Sequence, residues 1–266
     1  MMRRACLVFM LVAAPVALAA QWTVRPGGWF VSHGFNSGRF PDRFSGATRD
    51  ALEKVDWGMY FIYGWREGLS VGLGQGFARL EQPGGDSIRT TTGFGATGLF
   101  VMKRITQGRG GVLAIQPRID LPLLYDTADR PVLGPVSADA EIRLLYGTGY
   151  GLGSRRGFLS ASAGIAPWRE GPSEVRYDLT LGLDASRRIL VMGQAFNVAA
   201  FRDGNLAYSA TKLGASAMLR LSPRVGVLAG YYAGVSGRNT ARERTLSLAI
   251  WLSHEPRAPV VPGLPR

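Results

Sequence analysis

Residues 174–184, EVRYDLTLGLD, place Val175, Tyr177, Leu179, Leu181 and Leu183 on one parity and Glu174, Arg176, Asp178, Thr180 and Asp184 on the other. Strand side chains alternate between two faces, so this segment has one apolar and one charged face along its whole length. The pattern recurs in LAIQPRIDL (113–121), where Leu113, Ile115, Ile119 and Leu121 oppose Gln116, Arg118 and Asp120. It recurs again in SADAEIRLLY (137–146) and TKLGASAMLRL (211–221). Such strands must bury their apolar faces, against a core in a soluble sandwich or against lipid in a barrel with a polar interior.

Extending the alternation gives strands near 27–37, 55–65, 68–80, 90–104, 111–122, 137–147, 157–168, 174–184, 188–202, 206–221, 224–236 and 243–253. Connections such as REG (66–68), TQGRG (106–110), SRR (186–188) and SPR (222–224) are tight, with GTGYGLGSRRG (147–157) the longest of that set. The intervening ones include the longer, Pro- and charge-rich stretches 37–53 and 124–136. Short turns on one rim, longer loops on the other and an even strand number are what a transmembrane barrel requires. A sandwich explains the alternation but not strands of ten residues or more, where five or six is usual. The expected fold is all-β: a single antiparallel transmembrane barrel of about 12 strands over 21–254, both termini on the periplasmic rim. Tyr63, Trp65, Tyr146, Tyr177 and Tyr231 fall near strand ends on the outward parity, where aromatic girdles belong.

The N-terminus reads as a leader for export. Arg3 and Arg4 precede an apolar run to Leu18 and the small residues Ala17, Ala19 and Ala20, the pattern of a signal peptide covering 1–20. Cys6, the only cysteine, lies inside it, so the exported chain has no disulfide, thiolate metal site or cysteine nucleophile. Beyond residue 21 no apolar stretch is long enough for a spanning helix. The chain has 31 Lys and Arg against 19 Asp and Glu. In an exported protein that balance points to outer-membrane lipids, lipopolysaccharide phosphates, acidic polysaccharide or anionic solutes as partners, not to nucleic acid. The barrel-assembly machinery is a further expected partner during biogenesis. Residues 255–266, with Pro256, Pro259, Pro262 and Pro265, form an extended Pro-rich periplasmic tail.

Inward charges are the most informative feature. Neighbouring strands carry Arg118, Asp120, Asp139, Glu141 and Arg143; Glu174, Arg176, Asp178 and Asp184 follow, with Lys212 and Arg220 further round. These are the candidate lumen-lining residues. Opposite charges facing one cavity either pair into a network that holds the wall in register or line water as a selectivity zone. Pairing suits most of them, because unpaired buried charge is costly. Barrel dimensions give a backbone diameter on the order of 24 Å, and inward side chains of about 5 Å leave a passage of roughly 12 Å, narrowest beside these charges.

Catalysis finds no footing. The two histidines, His33 and His254, lack the His-x-Ser pattern of barrel lipid hydrolases. With His254 expected at the periplasmic rim and His33 several residues up the first strand, on the order of 20 Å away, the two cannot share a metal. His33 follows the outward parity of Trp29, Val31 and Phe35. No catalytic residue, cofactor or metal site is expected. Gly72, Gly74 and Gly76 in SVGLGQGFA share an inward face, as do Gly226, Gly230 and Gly234, which lets the wall bend or a bulky neighbour cross the lumen. A phosphate-binding loop in GLGQG lacks the glycine spacing and the following helix.

The segment DWGMYFIYGWREGLSVGLG (56–74), an aromatic strand, a short polar turn and a glycine-alternating strand, resembles the repeating hairpin of small Gram-negative outer-membrane barrels. These include the phenol meta-pathway type and barrels associated with exopolysaccharide. QWTVRPGGWFVS (21–32) is similar to their mature N-termini. The resemblance implies a twelve-strand outer-membrane barrel acting as a transporter, with no catalytic residues to carry over. One departure is that Trp251, in the last strand, is followed by fifteen residues. The expected function is a passive channel for small solutes. An accessory barrel for exopolysaccharide secretion or biofilm formation is the alternative, and a lipid-modifying enzyme ranks below both.

Overall fold

The computed structural model describes residues 23–44, 52–84, 87–167 and 171–256. The expected leader and the tail from 257 onward lie outside them. No helix among these residues is long and apolar enough to cross a membrane, which says nothing of a wall built from strands.

The chain is all-β. In order, its strands are β1 (Trp29–Phe40), β2 (Leu52–Arg66), β3 (Leu69–Gly84), β4 (Ser87–Phe94), β5 (Thr97–Gly108), β6 (Gly111–Leu121) and β7 (Asp139–Leu152). There follow β8 (Arg155–Ala166), β9 (Ser173–Asp184), β10 (Ile189–Arg202), β11 (Asn205–Ser222), β12 (Val225–Arg238) and β13 (Arg244–His254). Neighbours pair antiparallel round a closed ring, with β4 and β5 together making one of the twelve wall strands. The seam joins β1 to β13 from Trp29↔His254 to Arg39↔Arg244.

Parity sets the faces as expected. On β9, Glu174, Thr180 and Gly182 are buried while Val175, Tyr177, Leu179 and Leu181 are exposed outward. Tyr63, Trp65, Tyr146 and Tyr231 also point out. On the turn rim, Gly68 and Gly153 take positive φ (68° and 59°) in tight hairpins. The stretch 147–157 is therefore mostly strand and not an extended connection. The opposite rim is not uniformly long-looped, since Asp203 and Gly204 (φ 52° and 79°) close β10 and β11 through a type I′ turn.

Two further features differ from the sequence expectation. The strand expected over 90–104 is broken: Thr91 faces in on β4, whereas Gly98, Phe100 and Met102 face in on β5, so parity flips across Gly95–Ala96. Gln75, on the outward face of β3, covers the break. Its amide donates to the carbonyls of Gly95 (3.0 Å) and Gly76 (3.1 Å), and the Thr97 hydroxyl donates to its Oε1 at 2.7 Å. Below the break β5 pairs with β6; above it β4 pairs only with β3 among the described residues.

The second difference is the filling. The turn-side half of the interior is apolar: Phe30, Ile62, Phe100, Met102, Leu145, Phe158, Met192, Met218, Leu228 and Trp251 form one buried cluster reaching round the ring. Val24 packs against it, its amide donating to Ser70 Oγ at 3.0 Å. Side chains buried to this degree leave no 12 Å passage at that level, because parity dictates which face a residue takes but not whether opposite walls meet. The inward glycines accommodate this filling: a Cβ on Gly72 would overlap the Phe100 ring, on Gly182 the Phe158 ring, and on Gly214 the Tyr232 ring.

Candidate functional site: a charged chamber on the loop side

The loop-side half of the interior is polar, and most of its charge stands on β6 to β9. On β6, Arg118 and Asp120 lie two residues apart on one face, and the guanidinium clamps the carboxylate at 2.9 Å (Nε–Oδ2) and 2.6 Å (Nη2–Oδ1). Glycine makes room: a Cβ on Gly98 would overlap the guanidinium, and one on Gly74 would stand 3.6 Å from it.

A longer ladder joins β7 to β9. Glu141 accepts from Arg143 on its own strand (2.6 Å) and from Arg176 on β9 (3.2 Å). Arg143 reaches Asp178 at 3.1 Å, and Arg176 holds Glu174 at 2.7 Å through Nε. β8 runs between these strands, and its inward residues are small where the pairs cross. A Cβ on Gly164 would press into Arg143 and Glu141, while the Ser162 hydroxyl donates to Asp178 at 3.3 Å. Tyr208 on β11 completes the row by donating to Glu174.

Exposure separates the arginines and Asp178 from the two glutamates. The side chains of Arg118, Arg143, Arg176 and Asp178 are 23%, 23%, 26% and 24% exposed, against 3% for Glu141 and 2% for Glu174. The guanidinium groups thus face an interior space with carboxylates packed behind them, where the low-dielectric wall strengthens each pair. Asp139 sits directly across from Asp120 and is buried, with its Oδ1 lacking a hydrogen-bond partner among the described residues.

The remaining expected residues are placed elsewhere. Asp184 pairs with Arg220 at 2.6 Å at the turn end, away from the ladder. Lys212 is buried beside Glu243 (3.2 Å), and the Thr245 hydroxyl donates to the same carboxylate at 2.7 Å. The sequence reading missed Glu243, which precedes the last strand, and the buried pair Lys54–Asp56 (3.1 Å) on β2 with Asn36 donating to Asp56 at 2.9 Å. An inward Lys212 without an acid in the neighbouring strands was the available signal for the first.

Above the chamber, Leu133 from the β6–β7 connection packs with Leu52, Ala78 and Leu80. Tyr125 joins this cap, donating to the Pro135 carbonyl at 2.5 Å, and burial pushes its phenol pKa up, with Asp120 adding to the shift. The histidines lie outside the site: His33 stacks on Trp57 at 5.5 Å and His254 lies 6.0 Å from the Trp29 ring. Among the described residues no group of three His, Cys, Asp or Glu could hold a metal ion.

No protein-family model matches the sequence, and no curated protein matches it. Solved structures do. An outer membrane channel from Pseudomonas putida F1 superposes with a TM-score of 0.71 at 13% identity, covering 87% of this chain and 97% of that one. The NanC porin gives 0.53 at 9% identity, covering 84% and 98%. The translocator domain of the autotransporter NalP from Neisseria meningitidis gives 0.51 at 12%, covering 88% and 90%. At these identities the likeness is one of fold, shared by a channel, a porin and a translocator of the outer membrane.

Proposed function

We propose that this chain is an outer-membrane barrel that passes small solutes passively. The observation that carries the reading is the exposure of Arg118, Arg143, Arg176 and Asp178 to a space enclosed by a closed wall. A network serving only to hold the wall would bury its charges completely, whereas a selectivity zone keeps them in contact with water and ions. The apolar outer face, the aromatic residues near strand ends and the fold shared with a channel and a porin support the same reading. The turn-side apolar cluster makes the described state a closed one, and conduction requires Phe100 and its neighbours to part.

On the loop rim, where an acidic polymer would meet basic residues, Arg39 lies 3.5 Å from Glu53 and Arg242 lies 3.6 Å from Asp42. That engagement weakens the secretion-accessory reading relative to the channel. Purified protein in planar bilayers decides between them. Discrete current steps, together with entry of small sugars into liposomes, support the channel. Silence in both assays overturns it and leaves the accessory barrel.

A further inference from the structure

The outward face of β9–β12 carries an open groove of about 590 Å³ close to the turn rim. Gly193 faces Ala215 across the β10–β11 pair and Val191 faces Ala217, which forms the floor. Leu181 and Tyr150 flank it, and the Tyr150 hydroxyl is tied to the Gly182 carbonyl at 3.1 Å. This surface is apolar and faces the bilayer, so hydrocarbon is the matter that meets it.

The charge at the groove's turn end is one-sided. Three successive hairpins on that rim expose Arg155 and Arg156, Arg187 and Arg188, and Arg224. None of these guanidinium groups has an acidic partner among the described residues, and Asp184, at the end of β9, is taken by Arg220. On the far side of the rim, by contrast, Arg104 is held by Glu67. Arg187 stands four residues from Val191 and on its outward parity, a separation of about 13 Å along a strand. That matches the offset between a phosphate at the interface and the acyl chain beneath it.

We propose that groove and rim together bind one anionic glycerophospholipid, with an acyl chain against Gly193 and Ala217 and the phosphate against Arg187 and Arg188. Arginine suits the phosphate through paired N–H donors, and basic residues clustered at a bilayer surface select anionic lipid. Short turns of such barrels face the periplasm, so the occupant belongs to the phospholipid leaflet. The inference rests on the outer-membrane reading but not on conduction.

The test uses full-length protein in a neutral detergent, equilibrated with equimolar dioleoyl phosphatidylglycerol and dioleoyl phosphatidylcholine, with retained lipid read by native mass spectrometry. The expected result is retention of phosphatidylglycerol over phosphatidylcholine by about tenfold. R187Q/R188Q brings that preference close to parity. G193L, and A217L as a second variant should G193L lose its heat-modifiable gel mobility, lowers retention of both lipids several-fold while the residual preference persists. Equal retention of the two lipids by the wild type overturns the proposal. So does full displacement of phosphatidylglycerol by millimolar inorganic phosphate, which would mark a free-anion site, and so does unchanged retention in both groove variants. A chain that stays soluble and folded without detergent would instead overturn the outer-membrane reading itself.

Discussion

Arg176 on β9 reaches past β8 to Glu141 on β7, closing at 3.2 Å over a strand whose inward residue at the crossing is Gly164. The pair exists because that glycine leaves the space open.

Gly164→Val fills it. The added side chain meets Arg143 and Glu141, so both pairs must lengthen or the wall must bulge, at a cost of about 1–3 kcal/mol. A urea midpoint followed by heat-modifiable gel mobility checks this, with Gly58→Ala as the comparison, since a Cβ at Gly58 touches nothing within 4 Å.

Arg118→Ala removes a guanidinium that faces the chamber and leaves Asp120 unclamped. The interior becomes more negative, so the reversal potential in a salt gradient should move toward cation preference. An unchanged reversal potential in a conducting protein would show that ions take a path away from β6.

Phe100→Ala opens the turn-side cluster where the ring lies over Gly72 and stacks on Tyr60 at 5.0 Å. The cavity costs about 3–5 kcal/mol, while single-channel recordings should show more frequent or larger openings. Lower stability with unaltered conductance would place the barrier elsewhere.

Lys212→Met strands Glu243 in a buried position and should destabilise the barrel by about 3–5 kcal/mol. Adding Glu243→Leu should recover most of that loss, because two apolar groups of similar volume need no partner. The double-mutant cycle measures the coupling, and additive losses would contradict the pairing.

Gln75→Leu leaves the Gly95 carbonyl without its side-chain donor at the wall break. The expected cost is about 1–3 kcal/mol, with faster hydrogen exchange at Thr97 and Gly98 than elsewhere on β5.

Much of this architecture is legible in alternation alone. Val175 to Leu183 point out and Glu174 to Asp184 point in because a strand has a period of two, and no other residue is needed to decide it. Arg118, Asp120, Glu141, Arg143, Arg176 and Asp178 were legible as one inward group for the same reason. The break at Gly95–Ala96 was not: Gly93, Gly95 and Gly98 flank it, and glycine belongs to either face, so a parity flip leaves no mark. Glycine likewise disguised the end of β7, where GTGYGL reads as a connection. The apolar filling was hidden differently. Met192, Met218 and Leu228 sit on the inward parity among Gln194, Ser216 and Gly230, and only the meeting of opposite walls shows that they touch. Glu243 shares the inward parity of Thr245 and Ser247, but its partner Lys212 stands across β12, and alternation within one strand does not show which side chains meet over another.

Phe30 on the first strand and Trp251 on the last lie edge to face at 5.6 Å, directly beside the seam. The final pairing of the ring is thus fastened from within as well as by its backbone ladder. A wall held only by hydrogen bonds can unzip where its first and last strands meet once the surrounding lipid is stripped away. Here the first and last strands share an aromatic rivet set in the protein's own oil, so the joint between them need not be the first to fail.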